Sequence, residues 1–199
     1  MVDVKANRTR ERILAISGEL FRRQSYAGTS IADIADRLGT SKAAIYYHFS
    51  SKEEILNAMI TEPIAIYEDI AVRAAEGASA EELLGRLIDL MAAPGAHWAM
   101  LEADPSIRYA IDERATQHRL LDKTSQIIDT LRGTDTSRAA WVRAAAAFAI
   151  TKEATRVMMW EEGTLSGADR AALLAAALDA LAPGPGRPLE AADAAQEGL

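Results

Sequence analysis

The chain has 199 residues, 49% hydrophobic and 26% charged, with no cysteine and a formal net charge of −7. That composition is globular, with room for one or two compact domains, and it excludes a disulfide framework, a thiolate metal site and a cysteine nucleophile. No apolar run approaches the ~18–20 residues that span a bilayer, and the charged start has no secretory h-region behind it, so a cytoplasmic location with no membrane partner is expected.

The acidic total argues against nucleic acid, but the charge is unevenly placed. Residues 1–52 carry nine Lys/Arg against five Asp/Glu, a net of +4, while the rest carries thirteen against twenty-four, a net of −11. A basic first quarter on an acidic bulk suits a small anion-binding head on a body with other work to do.

Period-2 alternation is sustained nowhere and helical spacing runs throughout, so the predicted fold is all-α, with about nine helices. Ile13, Ile16, Ser17, Leu20 and Phe21 predict a first helix over 8–24, closing at Ser25-Tyr26-Ala27-Gly28, where Gly28 can turn left-handed. Thr29 or Ser30 can cap a second helix striped by Ile31, Ile34, Ala35 and Leu38 and ended by Gly39. Thr40-Ser41 caps a third over 42–48, with Ile45, His48 and Phe49 inward and Lys42, Ala43, Tyr46 and Tyr47 on the other face. A long fourth helix opens at 50–54, is expected to kink at Pro63, and ends at Gly77. Further helices are predicted at 80–92, 96–103, 106–132, 136–161 and 167–182, before a proline-rich tail over 183–199 that is expected to be mobile.

Residues 29–49 form a helix-turn-helix pattern: a short striped helix, a glycine turn, and a second short helix that enters the DNA major groove. Small or polar groups at Thr40, Ser41, Lys42, Ala43 and Ala44 let the second backbone approach base edges. Lys42 can donate to guanine and Ala43 can meet a thymine methyl. Tyr46, Tyr47, His48 and Lys52 suit the sugar-phosphate walls, and the N-terminus of the fourth helix near Ser51-Lys52 suits a phosphate. The competing reading for Tyr46 and His48 is packing beneath the head.

The residues Phe21, Tyr26, Gly28-Thr29-Ser30-Ile31, Ile34-Ala35, Leu38-Gly39-Thr40-Ser41-Lys42, Ile45-Tyr46-Tyr47-His48-Phe49, Ser51-Lys52-Glu53 and Ile55-Leu56 closely resemble the head of the TetR (tetracycline-repressor-like) family, over about 8–56. The resemblance implies a bacterial all-helical homodimer: a three-helix head, a linking fourth helix, and a helical body for a small-molecule effector and dimerisation. It implies base reading at Thr40 to Ala43 and phosphate contacts at Tyr46, Tyr47, His48 and Lys52. Thr40 stands where the family often has valine.

The body carries no comparable motif. The 136–161 helix has two apolar stripes, Trp141, Ala144, Ala145, Phe148, Thr155 and Met159 on one side and Val142, Ala146, Ala149, Ile150, Val157 and Trp160 on the other. Ala146, Ala149, Val157 and Trp160, with Leu174, Leu178 and Leu181, are the expected two-fold interface. His97, Trp98, Leu101, Arg108, His118, Phe148, Thr151 and Met158 are the expected lining of a pocket for a lipophilic ligand.

No cofactor or metal is called for: the three histidines are far apart in sequence and no phosphate loop is present. Glu102/Asp104 and Asp112/Glu113 read as solvated carboxylates. The expected function is a ligand-released repressor dimer on a palindromic operator, with domains 1–52 and 53–182. The alternatives are an architectural or partner-regulated DNA-binding protein of the same fold without a small-molecule ligand, and an enzyme that does not use the head.

Overall fold

The computed structural model of the protein describes residues 4–93, 104–107 and 116–183, with side chains for all of these except 4–6, 116–119 and 160. Among the described residues it shows nine bounded α-helices, one π-helical turn and a helical stretch at 105–107. In chain order the nine are α1 (Val4–Gln24), α2 (Ile31–Leu38), α3 (Lys42–His48), α4 (Lys52–Ala75), α5 (Ala80–Ala92), α6 (Thr116–Arg132), α7 (Arg138–Ala149), α8 (Thr155–Glu162) and α9 (Gly167–Leu181). The π turn, Ile150–Ala154, joins α7 to α8 without a break. No strand occurs among the described residues, in agreement with the all-α expectation. The helix predicted at 96–103 and the tail from 184 lie outside the described residues. Among the described residues no helix is long and apolar enough to cross a membrane.

Serine begins six of these helices. Ser30, Ser41, Ser51, Ser79, Ser137 and Ser166 are extended N-caps whose hydroxyl oxygens accept the backbone N–H three residues on. Each satisfies a donor that the first helical turn cannot. At α2 the cap is reciprocal, because the Asp33 carboxylate accepts both the N–H and the hydroxyl of Ser30, at 2.8 and 2.6 Å. Glu54 accepts the Ser50 N–H at 2.6 Å and its hydroxyl at 2.7 Å. These donors, hydroxyl first, hold Asp33 and Glu54 below their ordinary carboxylate range.

Helix α4 continues through Pro63, which is buried in its midst. It belongs to two apolar clusters. Its first half contributes Ile55, Leu56, Met59 and Ile60 to the head core of Ile13, Phe21, Tyr26, Ile34, Ile45 and Phe49. Its second half contributes Tyr67, Ile70, Ala71 and Ala74 to the body core, with Leu83, Leu84 and Leu87 of α5, Ile127 and Leu131 of α6, and Phe148 of α7. Helix α9 closes the body over α5 and α7. Its Arg170 forks onto Asp89 of α5 at 2.6 and 2.7 Å and reaches the Gly85 carbonyl at 3.4 Å. A side chain at Gly85 would meet that guanidinium at 3.2 Å, so the glycine makes room for the fork.

The glycine expected to turn left-handed between α1 and α2 has another task. The positive φ belongs to Ser25, at 67°. Gly28 is required instead by close approach, since a Cβ there would lie 2.2 Å from the Gln24 carbonyl oxygen. Gly28→Ala is therefore expected to destabilise the head by about 1–3 kcal/mol, whereas Gly167→Ala, whose Cβ would meet nothing within 4 Å, is expected to be neutral or slightly stabilising. Paired thermal melts of the two variants check this.

A second prediction follows from the capping carboxylates. Because the folded pKa values of Asp33 and Glu54 are depressed, their contribution is complete above the unfolded value, near about pH 4, and is lost as pH falls through the depressed values. The melting temperature should lose this contribution below about pH 4 but not between 7 and 5, and Ser30→Ala with Ser50→Ala should flatten the acid limb.

Candidate nucleic-acid interface

The turn from α2 to α3 is built by Gly39, which adopts φ 71° and ψ 39° and donates its N–H to the carbonyls of Ala35 and Asp36. The next N–H, of Thr40, also reaches the Ala35 carbonyl, at 2.9 Å. These bonds close the end of α2 in a left-handed cap and reverse the chain sharply. Ser41 then caps α3 by accepting from Ala44 N–H at 3.2 Å.

Helix α3 has seven residues, too few to be stable alone, and it is held by its inner side. Ile45 and Phe49 are fully buried, and the Arg10 guanidinium lies 4.8 Å over the Phe49 ring. The outward positions form one continuous face. Lys42 and Ala43 are exposed, Tyr46 is 52% exposed and Tyr47 82%. A tyrosine so open to water contributes nothing to the core, so the packing alternative does not account for Tyr46 or Tyr47. His48 sits between the two expectations: half-buried, with its ring edge-on to Tyr47 at 5.1 Å. Thr40 is likewise half-buried.

Lys52 is employed differently from the phosphate contact expected of it. Its ammonium donates to the carbonyls of Tyr26 and Thr29, at 2.8 and 2.9 Å, and lies 4.2 Å from the Tyr26 ring. The side chain thus folds inward from the start of α4 and fastens the α1–α2 turn. The N-terminus of α4 also differs from the open anion site expected. Ser51 caps it, Glu53 and Glu54 occupy its first turn, and the Tyr26 hydroxyl donates to Glu53 at 3.2 Å. Glu53 is held below its usual range chiefly by its own backbone N–H, against the opposing effect of burial, and further by the Ser51 and Tyr26 hydroxyls. Two carboxylates at this end compete with a phosphate for the helix dipole.

Asp104, read from the sequence as a solvated carboxylate, is instead a hydrogen-bonding hub. Its Oδ2 accepts the Tyr26 N–H at 2.7 Å, and its Oδ1 accepts the N–H and hydroxyl of Ser106 at 2.9 and 2.7 Å. The Ser106 oxygen in turn accepts the Ala27 N–H at 3.1 Å. Burial raises the Asp104 pKa, but the donors from Tyr26 and Ser106 outweigh it and the net shift is downward. No sequence rule pairs residues 78 apart. The only local hint was the Asp-x-Ser spacing, which suits a carboxylate folded back onto its own turn.

Of the expected pocket residues, His97, Trp98, Leu101 and Arg108 lie outside the described residues, as does the side chain of His118. Phe148 and Thr151 are buried on adjacent turns, and the Thr151 hydroxyl donates to the Phe148 carbonyl at 2.8 Å. Met158 is half-buried. Of the expected interface residues, Ala146, Ala149 and Val157 are exposed, while Leu174, Leu178 and Leu181 are half-buried against the body core. The side chain of Trp160 is outside the description. Among the described residues no group of three or more His, Asp or Glu is arranged to hold a metal ion.

Comparison with known proteins agrees with this geometry. Residues 13–59 match the family model described as bacterial regulatory proteins, tetR family. The transcriptional regulator TtgR of Pseudomonas putida is 31% identical over 87 residues, 44% of this chain and 41% of its own. The chain spans less than half the length of the first curated relatives it matches, 31% and 41%. Among solved structures, a transcriptional regulator of Aquifex aeolicus superposes with a TM-score of 0.56 at 22% identity, covering 87% of this chain and 97% of that one. A Saccharomonospora viridis protein assigned to transcriptional regulation, solved in complex with choline, superposes at 0.50 with 25% identity, covering 87% and 95%. Residues 13–59 therefore match the head of the bacterial regulatory proteins of the tetR family, and the chain as a whole shares the helical fold of the solved proteins.

Proposed function

We propose that the protein is a ligand-responsive repressor that binds a palindromic operator as a homodimer in the bacterial cytoplasm, with residues 1–52 as the DNA-binding head and 53–182 as the ligand-binding and dimerisation body. The observation that carries this reading is the outward row of α3. Lys42, Ala43, Tyr46 and Tyr47 are exposed on a helix whose other side is fully used in the core. Thr40, Ser41, Lys42 and Ala43 at the start of the helix read base edges. Tyr46, Tyr47 and His48 meet the sugar-phosphate walls, and Lys52 acts through the turn that it fastens.

Dimerisation through α7, α8 and α9 is supported by the exposed apolar side of α7 and α8. Val142 is 50% and Val157 40% exposed, with Ala146 and Ala149 on the same side. Leu174, Leu178 and Leu181 of α9 and Trp160 of α8 complete the proposed interface. The small alanines allow two such helices to approach closely in a two-fold bundle. A small lipophilic effector among His97, Trp98, Leu101, Arg108, His118, Phe148, Thr151 and Met158 would favour one head spacing over another. Its effect is limited to its difference in affinity for the two states. The solved choline complex of a related fold supports a small-molecule site in this body.

Selection of duplexes from a random pool by the full chain tests the proposal. The expected product is a palindrome whose half-site centres lie about 34–36 Å apart, or a multiple of that; recovery of no duplex even at low salt overturns it. On the selected duplex, Lys42→Ala should cost ~1–3 kcal/mol and relax the choice at one base position, while Tyr47→Phe should weaken all sequences alike. In the body, Ala146→Trp should shift sedimentation from dimer toward monomer. An unchanged dimer places the interface elsewhere.

A further inference from the structure

We infer that Asp104 is a positioning residue for the DNA-reading head, and that residues 104–107 tether the α1–α2 turn to the body independently of α4. Three contacts meet there. Asp104 accepts the Tyr26 N–H at 2.7 Å, Ser106 accepts the Ala27 N–H at 3.1 Å, and Ile107, 1% exposed, inserts into the head core beside Met91 of α5. Ser106 is itself fixed by donating to Asp104 at 2.7 Å, so the two acceptors act as one unit.

The tether grips a point from which motion passes directly to the reading helix. The two peptide groups that flank the Tyr26 Cα are held in turn, the first through the Tyr26 N–H by Asp104 and the second through the Tyr26 carbonyl by Lys52 of α4. From there the chain runs through Thr29, whose hydroxyl donates to the Ser25 carbonyl at 2.8 Å, to the reciprocal cap of α2 at Ser30. Helix α2 is closed by Gly39 directly onto α3. A rigid head joined to the body only through α4 can pivot about that helix. Joined also at Tyr26 and Ala27, it cannot pivot without breaking a charge-assisted hydrogen bond at the first and a neutral one at the second and withdrawing Ile107. A pivoting head has to be reordered when two heads seat on two half-sites, and that ordering subtracts from affinity. This inference rests on the proposed DNA-binding function.

The test uses the full chain and the duplex selected by the wild type. Amide exchange at Tyr26 and Ala27, measured without DNA, reports the tether itself. Asp104→Ala should raise exchange at Tyr26 by about tenfold or more and weaken duplex binding by about three- to tenfold. Asp104→Asn, which keeps a single acceptor oxygen, should fall between that variant and wild type and guards against a misfolded alanine variant. Leu131→Ala, which removes packing from the body core on α6 and does not belong to the head core or the proposed interface, should lower the melting temperature yet leave both readouts unchanged, separating positioning from general loss of stability. Unaltered Tyr26 exchange in Asp104→Ala overturns the tether. Faster exchange with unchanged or tightened duplex binding overturns its positioning role. Failure of the wild type to select any duplex overturns the DNA-binding reading and this inference with it, while the exchange result still reports whether the tether exists.

Discussion

The backbone of Tyr26 lies between α1 and α2, where the chain reverses over six residues. Its N–H is taken by the Asp104 carboxylate of the body, and its carbonyl, in the next peptide group, accepts from the ammonium of Lys52 at the head of α4 and from the Thr29 N–H. A part-buried N–H left without this carboxylate would cost about 1–3 kcal/mol, which is large beside the few kcal/mol that hold a small head together. The Tyr26 side chain extends the same junction. Its ring packs edge-on against Phe21 at 5.2 Å and beneath the Lys52 ammonium, and its hydroxyl reaches Glu53. One residue thereby joins α1, α4 and the body, and the geometry of α2 and α3 is built outward from it.

The reading helix shows why such a junction is needed. Seven residues cannot pay the cost of helix nucleation from their own hydrogen bonds, and the outward face, open to water, adds nothing to the core. Stability therefore comes entirely from the other side: Ile45 and Phe49 in the core, the serine cap, and the Gly39 turn. The exposed face of Lys42, Ala43, Tyr46 and Tyr47 is thereby left free of any packing task, as the proposed DNA contact requires.

The body is organised by different physics. Its helices are long enough to be set by apolar periodicity, and α7 and α8 are joined by a π turn that adds residues without ending the helix. Thr151 and Thr155 lie fully buried in and just after this turn. Thr151 donates back to the Phe148 carbonyl, whereas the Thr155 oxygen has no hydrogen-bond partner. A buried hydroxyl without a partner is a destabilising feature that packing elsewhere must offset. The ion pairs that join the body helices are mostly half-exposed, as in the group of Asp69, Arg73, Glu82 and Arg86 between α4 and α5. They orient the helices more than they stabilise them.

Local chemistry made most of the head legible in advance. The apolar stripe of α2, the serine before α3, the glycine that ends α2 and the exposed row of α3 each depend on residues within one or two turns of one another, and short-range geometry does not wait for the rest of the chain. The two stripes read on 136–161 were separated by burial in part: Ala144, Phe148 and Thr155 are inside and Val142, Ala146, Ala149 and Val157 outside, but Trp141, Ala145 and Met159 are only half-buried and Ile150, read as outward, packs against the body core. Wherever the deciding partner is distant, local reading failed. Gly28 was assigned a left-handed turn that Ser25 takes, because the true constraint is the position of the Gln24 carbonyl across the turn. Lys52 and the start of α4 were assigned to phosphates, but the ammonium is drawn inward by two carbonyls and the helix end already has its own serine and carboxylates. Asp104 read as a solvated acid because its neighbour Ser106 accounts for only one of its two oxygens, and the donor to the other lies 78 residues away. That donor, the Tyr26 N–H, comes within reach only after α1, α4 and α5 have packed. Periodicity and capping are written residue by residue, so the chain carried them by itself; the satisfaction of a lone peptide dipole depends on which distant atoms the fold brings to it, and only the tertiary structure decided that.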